Sequence, residues 1–202
     1  SQYVRYNGKL STFRNVEMGI PQGSILGPLL FVILINDMCD LNFQEHTKLC
    51  LYADDTALFC KAKDVSSVQI SLQLEIEKIM QWVQMNDLKL NINECKVMLF
   101  VTYKKIRAKQ ILIQHQRQVI EQVNNFKYLG IIFDNSLKFD KHIDKTCNKI
   151  ARTIGFIRQI KQYLPRNVMI MLYNGLILPH IDYGLVIWGK SSQCFISKLQ
   201  RL

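Results

Sequence analysis

Leu49-Cys50-Leu51-Tyr52-Ala53-Asp54-Asp55-Thr56-Ala57-Leu58-Phe59-Cys60 sets two adjacent carboxylates at the bend of an otherwise apolar run. The flanking segments, Lys48 to Tyr52 and Thr56 to Cys60, are apolar on both faces and read as central strands of a sheet. No Lys or Arg lies within five residues of the pair on either side. Two like charges ~4 Å apart repel by roughly 4 kcal/mol at an effective dielectric near 20, and burial adds desolvation, so a buried pair needs a cation. A divalent metal supplies it. Carboxylates suit hard Mg²⁺, whose other ligands are waters and phosphate oxygens, and paired ions ~3.5–4 Å apart clamp both oxygens of an in-line phosphoryl displacement. A solvent-exposed Asp-Asp turn is the competing reading, and for this stretch taken alone it is the stronger one.

Upstream, Gly19-Ile20-Pro21-Gln22-Gly23-Ser24 packs two glycines and a proline into six residues and feeds an apolar segment, Leu26 to Met38, that reads as a buried helix with Pro28 in its first turn. Glycine-rich backbone lets another chain approach closely, and Gln22 carries a donor and an acceptor for a sugar or base edge. A tight turn before a core helix explains the same residues. Before it, Asn7-Gly8 between Gln2–Tyr6 and Lys9–Val16 is the signature of a type I′ hairpin.

Downstream, Val68, Leu72, Ile76, Ile79 and Val83 form the stripe of an amphipathic helix, with Ser66 or Ser67 available as its N-cap. Lys96 to Thr102, Ile111 to Ile120 and Tyr128 to Phe133 read as strands. Beyond Asp134 the pattern turns helical, with a subdomain boundary near Ser136. There Ile143, Cys147, Ile150, Ile154 and Ile157 make one stripe, and Lys141, Lys145, Lys149 and Arg152 make a second, cationic one. Four such cations can follow phosphates, with log K falling by roughly 0.9 per phosphate neutralised on duplex DNA as log salt rises. A solvated helix face competes with that reading.

The charge is divided to match. Residues 1 to 100 hold nine basic and eleven acidic side chains, whereas residues 101 to 202 hold seventeen and five, so the whole net charge of +10 comes from the second half. One half is suited to a polyanion and the other to chemistry that uses carboxylates. With 49% apolar residues, the 202-residue chain can bury a sizeable core, which excludes disorder as its description. The longest apolar stretch, Leu29 to Ile35, is far short of the ~20 residues that cross a bilayer. Cys39, Cys50, Cys60, Cys95, Cys147 and Cys194 contain no C-x-x-C pair and sit mostly in apolar runs, as reduced, buried thiols would. The four histidines lack ligand spacing. The expectation is a soluble, intracellular protein that is not secreted. It opens on Ser1 and runs directly into strand-like sequence, as a piece of something longer would.

Two motifs together are far more specific than either alone. Gly19 to Phe31 is similar to the G-x-P-Q-G-S-x-L-G-P-L-L-F signature, and Tyr52-Ala53-Asp54-Asp55 to the Y-A-D-D box, of the reverse transcriptases of non-LTR retrotransposons, jockey-like and LINE-like. Trp82 to Phe100, Phe126-Lys127-Tyr128-Leu129-Gly130-Ile131, Leu178-Pro179 to Tyr183-Gly184 and Trp188-Gly189 resemble that family's later segments in order. The resemblance spans nearly the whole chain. It implies an α+β fold: a polymerase right-hand palm, an antiparallel sheet with covering helices, over residues 1–135, and an α-helical thumb over 136–202.

The activity it implies is RNA-directed DNA polymerisation: two-metal nucleotidyl transfer that extends a DNA primer on an RNA template with deoxynucleoside triphosphates. Asp54 and Asp55 would ligate two Mg²⁺ ions, or Mn²⁺, with Tyr52 beside them. Gln22 and Gly23 would lie against the nucleotide and template, and Tyr128, Leu129 and Gly130 would be the primer grip. Lys141, Lys145, Lys149 and Arg152 would follow the backbone of the duplex. The resemblance also implies a nuclease module in the parent protein and a nuclear location at integration.

Two departures stand out. The family's third carboxylate lies on a strand upstream of the Gly-Pro-Gln-Gly loop, but only eighteen residues precede that loop, and Glu17 is too close to it. The fingers and that strand would therefore be missing, leaving these residues inactive by themselves. Glu94 stands where the family usually carries a lysine. Side chains two apart share a strand face, so Lys96 is the candidate to present an ammonium to the pyrophosphate. A catalytically silent remnant that only binds RNA or primer-template duplex is the alternative.

Overall fold

The computed structural model describes residues 3–15, 19, 23–101, 110–191, 197 and 200. It divides into two compact units, one of residues 1–61 and 75–88, the other of 62–74 and 89–202. Helix α2 (Val65–Met85) contributes to both.

The first unit opens with a hairpin of β1 (Arg5–Tyr6) and β2 (Lys9–Leu10), whose turn residues Asn7 and Gly8 both have positive φ, as a type I′ turn requires. Helix α1 (Gly27–Asn36) follows, preceded by Ser24, whose hydroxyl accepts the Gly27 N–H at 3.0 Å, and continued by a 3₁₀ turn over Asp37–Asp40. The expected burial of this helix is corrected. Leu29, Leu30, Val32 and Ile33 are exposed, and Ile35 is the one fully buried residue of α1, because only its side packs on Ile79, Trp82 and Val83 of α2.

Strands β3 (Thr47–Tyr52) and β4 (Asp55–Cys60) form an antiparallel hairpin in which Leu49 faces Leu58 and Tyr52 faces Asp55. Leu49, Leu51 and Leu58 pack on the α2 cluster, whereas Cys50 and Tyr52, on the opposite face, are exposed. The reading as strands apolar on both faces is thus corrected to a hairpin with one buried face, and among the described residues it pairs with no further strand. Helix α2 is capped by Asp64 rather than Ser66 or Ser67: Asp64 accepts the Ser67 N–H at 2.9 Å and its hydroxyl at 2.8 Å.

In the second unit β5 (Lys96–Val97) runs parallel to β7 (Gln118–Gln122), which pairs antiparallel with β6 (Ile113–His115). Of the expected strand from Lys96 to Thr102, the described residues form two, Lys96–Val97, and Thr102 lies outside them. The first half of α2 is stitched to β6 by Gln73, whose amide accepts the Gln114 N–H and donates to its carbonyl, copying a strand's ladder. Strands β8 (Asn125–Tyr128) and β9 (Ile131–Asp134) form a second tight hairpin, with Leu129 and Gly130 at positive φ. Instead of one antiparallel sheet, the described residues carry four small ones.

Helices α3 (Asp140–Ile160), α4 (Arg166–Leu176), α5 (Leu178–Asp182) and α6 (Leu185–Trp188) follow in this unit. The apolar stripe of α3 works as its spacing predicts. Ile143 packs with Ile131, Phe139 and Trp188, while Ile150 and Ile157 pack with Ile177. Of the cysteines, Cys39 and Cys50 are exposed and Cys60, Cys95 and Cys147 half-buried, and none of these five is in a disulfide; Cys194 lies outside the described residues. Among the described residues no helix is long and apolar enough to cross a membrane.

Candidate active site and nucleic-acid interface

Asp54 and Asp55 sit at the tip of the β3–β4 hairpin, and both are exposed. Ala53 and Asp54 make the two-residue connection, with Ala53 held at φ +52°, a region that costs an L-residue roughly 1–2 kcal/mol. Asp55 is the first residue of β4 and lies directly across from Tyr52, so the carboxylate and the phenol share the solvent face. Exposure corrects one step of the sequence argument: water screens the two carboxylates, and burial does not oblige a cation. The chemistry of the donors still fits a hard divalent ion, as two exposed carboxylates that no hydrogen bond or ion pair claims among the described residues. Among the described residues no group of three or more His, Cys, Asp or Glu side chains comes together to complete such a site.

Gln22 lies outside the described residues. Gly23 takes φ +82° with open space around its α-carbon, a backbone conformation that glycine reaches without strain.

The ammonium of Lys96 is engaged, bonding Glu121 Oε2 at 2.7 Å and donating to the Asn93 carbonyl at 3.0 Å. The shared strand face invoked for Glu94 and Lys96 is corrected: Glu94 lies in a turn two residues before β5, its N–H donating to the Asn91 carbonyl. Half-burial pushes the neighbouring Cys95 thiol up, with Lys96 opposing and Glu94 adding to the shift.

Tyr128, Leu129 and Gly130 form the tip of the β8–β9 hairpin. Three groups unassigned by the sequence reading hold that hairpin. Asp134, at its far end, is a hub. Its Oδ2 accepts the Phe139 N–H at 2.6 Å, and its Oδ1 accepts the N–H groups of Ser136 and Lys138 and the Ser136 hydroxyl. Desolvation works against its charge, but these donors outweigh it and hold its carboxyl below the usual carboxylate range. His142, on the first turn of α3, is buried against the Trp188 ring, and its Nδ1 accepts the Ile132 N–H at 3.4 Å. Burial, and secondarily Lys145, push its pKa down. Tyr183 donates its hydroxyl to the Leu129 carbonyl at 2.6 Å.

In the first unit Glu75 is fully buried on α2, where its Oε1 accepts the Gln44 N–H at 2.9 Å and its Oε2 meets the Lys78 ammonium at 2.8 Å. Lys78 also donates to the Asn42 carbonyl at 2.6 Å. Together they pin the segment that enters β3. The signal was in the spacing: Leu72, Glu75 and Ile79 step by three and four, which puts the carboxylate on the buried stripe.

Lys141, Lys145, Lys149 and Arg152 are all exposed on one side of α3, where with Asp144 and Asn148 they line a shallow trough. The face is cationic with one acidic interruption.

Residues 1–133 match the family model described as reverse transcriptase (RNA-dependent DNA polymerase), and the chain belongs to that family. Its relatives are those of non-LTR elements. It is 26% identical, over 99% of its length, to the RNA-directed DNA polymerase from mobile element jockey of Drosophila melanogaster. It is 27% identical, over 98%, to the probable RNA-directed DNA polymerase from transposon BS of the same fly. To a retrovirus-related Pol polyprotein from type-1 retrotransposable element R1 of Nasonia vitripennis it is 24% identical over 84%. The chain spans 22%, 23% and 43% of the length of these three relatives, respectively. No solved structure matches it.

Proposed function

We propose that the chain forms palm and thumb regions, residues 1–135 and 136–202, of an enzyme that copies RNA into DNA. The observation that carries this reading is the Tyr52-Ala53-Asp54-Asp55 box, set on an exposed hairpin tip in a chain of the reverse transcriptase family. Asp54 and Asp55 supply two carboxylates that would hold Mg²⁺, which when bound neutralises the charge developing on the transferred phosphoryl group. Tyr52 presents its phenol on the same face as Asp55, where the primer end or nucleotide would lie. Gln22 and Gly23 would contact nucleotide and template, and Lys96 would reach the pyrophosphate only by leaving Glu121. Tyr128, Leu129 and Gly130 would bear on the growing end. The exposed cations of α3 would follow the phosphates of an A-form-like heteroduplex, which is recognised by backbone and shape.

Primer extension on an RNA template with Mg²⁺ tests it. The 202 residues alone extend nothing detectable; with an upstream segment carrying a third carboxylate, extension appears and Asp54→Asn abolishes it. A protein so completed that binds heteroduplex but stays inert would establish the alternative, a silent remnant. Changing Lys141, Lys145, Lys149 and Arg152 together to Gln should lower the slope of log K against log salt by up to about 3 to 4, at roughly 0.9 per duplex phosphate contact. An unchanged slope would remove the helix face from the interface.

A further inference from the structure

Three contacts from the segment between α5 and α6 converge on the β8–β9 tip. The Tyr183 hydroxyl donates to the Leu129 carbonyl at 2.6 Å. A Cβ on Gly130 would sit 3.1 Å from Tyr183 Cε1, so the phenol ring lies flush against the α-carbon at the turn. Gly184, at φ +67°, passes so close to Ile131 that a Cβ there would fall inside the envelope of its Cδ1. The base from which the phenol reaches is fixed as well. The Trp188 indole N–H donates to the Tyr183 carbonyl at 2.9 Å, and Trp188 is only 1% exposed, buried among Ile131, Phe139 and Ile143.

Tyr183 itself is 57% exposed. Apolar burial therefore does not account for a tyrosine at this place, and its polar end is spent on one carbonyl of a two-residue turn. Both turn residues have positive φ, with Leu129 at +45°, an unfavourable region for a leucine. A hydrogen bond to that residue's carbonyl restricts the rotation of the peptide unit between Leu129 and Gly130, and so the direction in which the tip presents its backbone.

We propose that Tyr183 is a positioning residue for the tip Tyr128-Leu129-Gly130: its hydroxyl, held from the Trp188 anchor, sets how that tip meets the terminal nucleotide of the primer. The proposal rests on reading the tip as the primer grip. Tyr183 acts through Leu129 and touches neither primer nor nucleotide.

The test uses the full-length protein that carries this chain, a primer ending in a photoreactive 4-thiothymidine, and the variant Tyr183→Phe, which keeps the ring against Gly130. In the unaltered protein the terminal nucleotide crosslinks to the peptide spanning residues 125–134. In Tyr183→Phe that crosslink and the extension rate fall roughly two- to tenfold, the range one hydrogen bond commands, while nucleotide KM and heteroduplex affinity stay as they were and the melting temperature falls by at most about 6 °C. If the unaltered protein crosslinks at the tip and Tyr183→Phe changes neither crosslink nor rate, the positioning role is wrong and the primer-grip reading survives. If extension, affinity and melting temperature drop together, Tyr183 is merely structural and the proposal is overturned. If the unaltered protein gives no crosslink at the tip, the primer-grip reading fails and takes the proposal with it.

Discussion

Lys78→Met isolates the cost of leaving a buried carboxylate without its cation. Glu75 is 0% exposed and keeps one hydrogen bond, from the Gln44 N–H, once the ammonium is gone. Removing one partner of a fully buried pair costs about 3–5 kcal/mol. The Lys78 side chain is 40% exposed, so water reaches that side of the pair, and we discount the figure to about 2–3 kcal/mol. At 1.4 kcal/mol per decade this is roughly a 30- to 140-fold rise in the opening constant of the segment that Glu75 and Lys78 hold. Amide hydrogen exchange at Gln44 reads it locally, and thermal unfolding should drop by about 4–12 °C for a chain of this size. The double variant Glu75→Leu, Lys78→Met separates charge from contact. It loses the acceptor for Gln44 but buries no charge, so it should cost only about 1–2 kcal/mol and be the more stable of the two. A Lys78→Met protein within about 0.5 kcal/mol of the original, or a double variant no more stable than the single one, would refute the reasoning.

Asp134→Asn keeps an acceptor but loses the charge that draws four donors, and should cost about 1–2 kcal/mol by urea unfolding. Because the folded carboxyl titrates below its unfolded value, its contribution is present above the unfolded pKa and fades as pH falls toward the folded one; Asp134→Asn should flatten that acid limb below about pH 4. His142 is neutral-favoured in the fold, so unfolding takes up a proton and stability declines as pH falls below about 6.5; His142→Gln should abolish the step between pH 7 and 5, read by melting temperature at each pH. Gly184→Ala must place a methyl against Ile131 in a left-handed backbone, and should lower stability by about 2–4 kcal/mol in the same unfolding assay.

Much of the local structure was legible because it is local. Asn7-Gly8 specifies its turn by the conformational freedom of two adjacent residues, and the α3 stripe by a period that needs no partner. The errors fall where an outcome depends on what lies alongside. Apolar side chains on both faces of Lys48–Tyr52 describe a strand suited to a central position, yet the hairpin covers one face only. The helix from Gly27 is apolar almost throughout, and sequence cannot say which side meets α2. Asp64 displaced the serines as cap because an aspartate three residues before Ser67 reaches both its amide and its hydroxyl, a competition that the serine-first reading overlooked.

The candidate site shows the same division. Tyr52, Asp54 and Asp55 were found as a string of residue types, and the register adds that Tyr52 and Asp55 face each other while Asp54 belongs to the turn. The string Tyr128-Leu129-Gly130, proposed as the primer grip, was equally visible, whereas its support was not, since Tyr183 reaches Leu129 across 54 residues and His142 reaches the adjoining Ile132 across 10. Both tips hold a non-glycine residue at positive φ, Ala53 in one and Leu129 in the other. A turn bearing such a residue has a less favourable resting state than a glycine turn, and it persists only where surrounding contacts determine it. In the β8–β9 hairpin those contacts are present and named: the Tyr183 hydroxyl at the tip, His142 along β9 and the Asp134 hub at its end. At the β3–β4 tip the neighbouring carboxylates are exposed, and among the described residues the constraint on Ala53 comes from the strand register. The β8–β9 tip is therefore held by a hydroxyl from outside its hairpin, whereas among the described residues the β3–β4 tip is held by its own strand pairing.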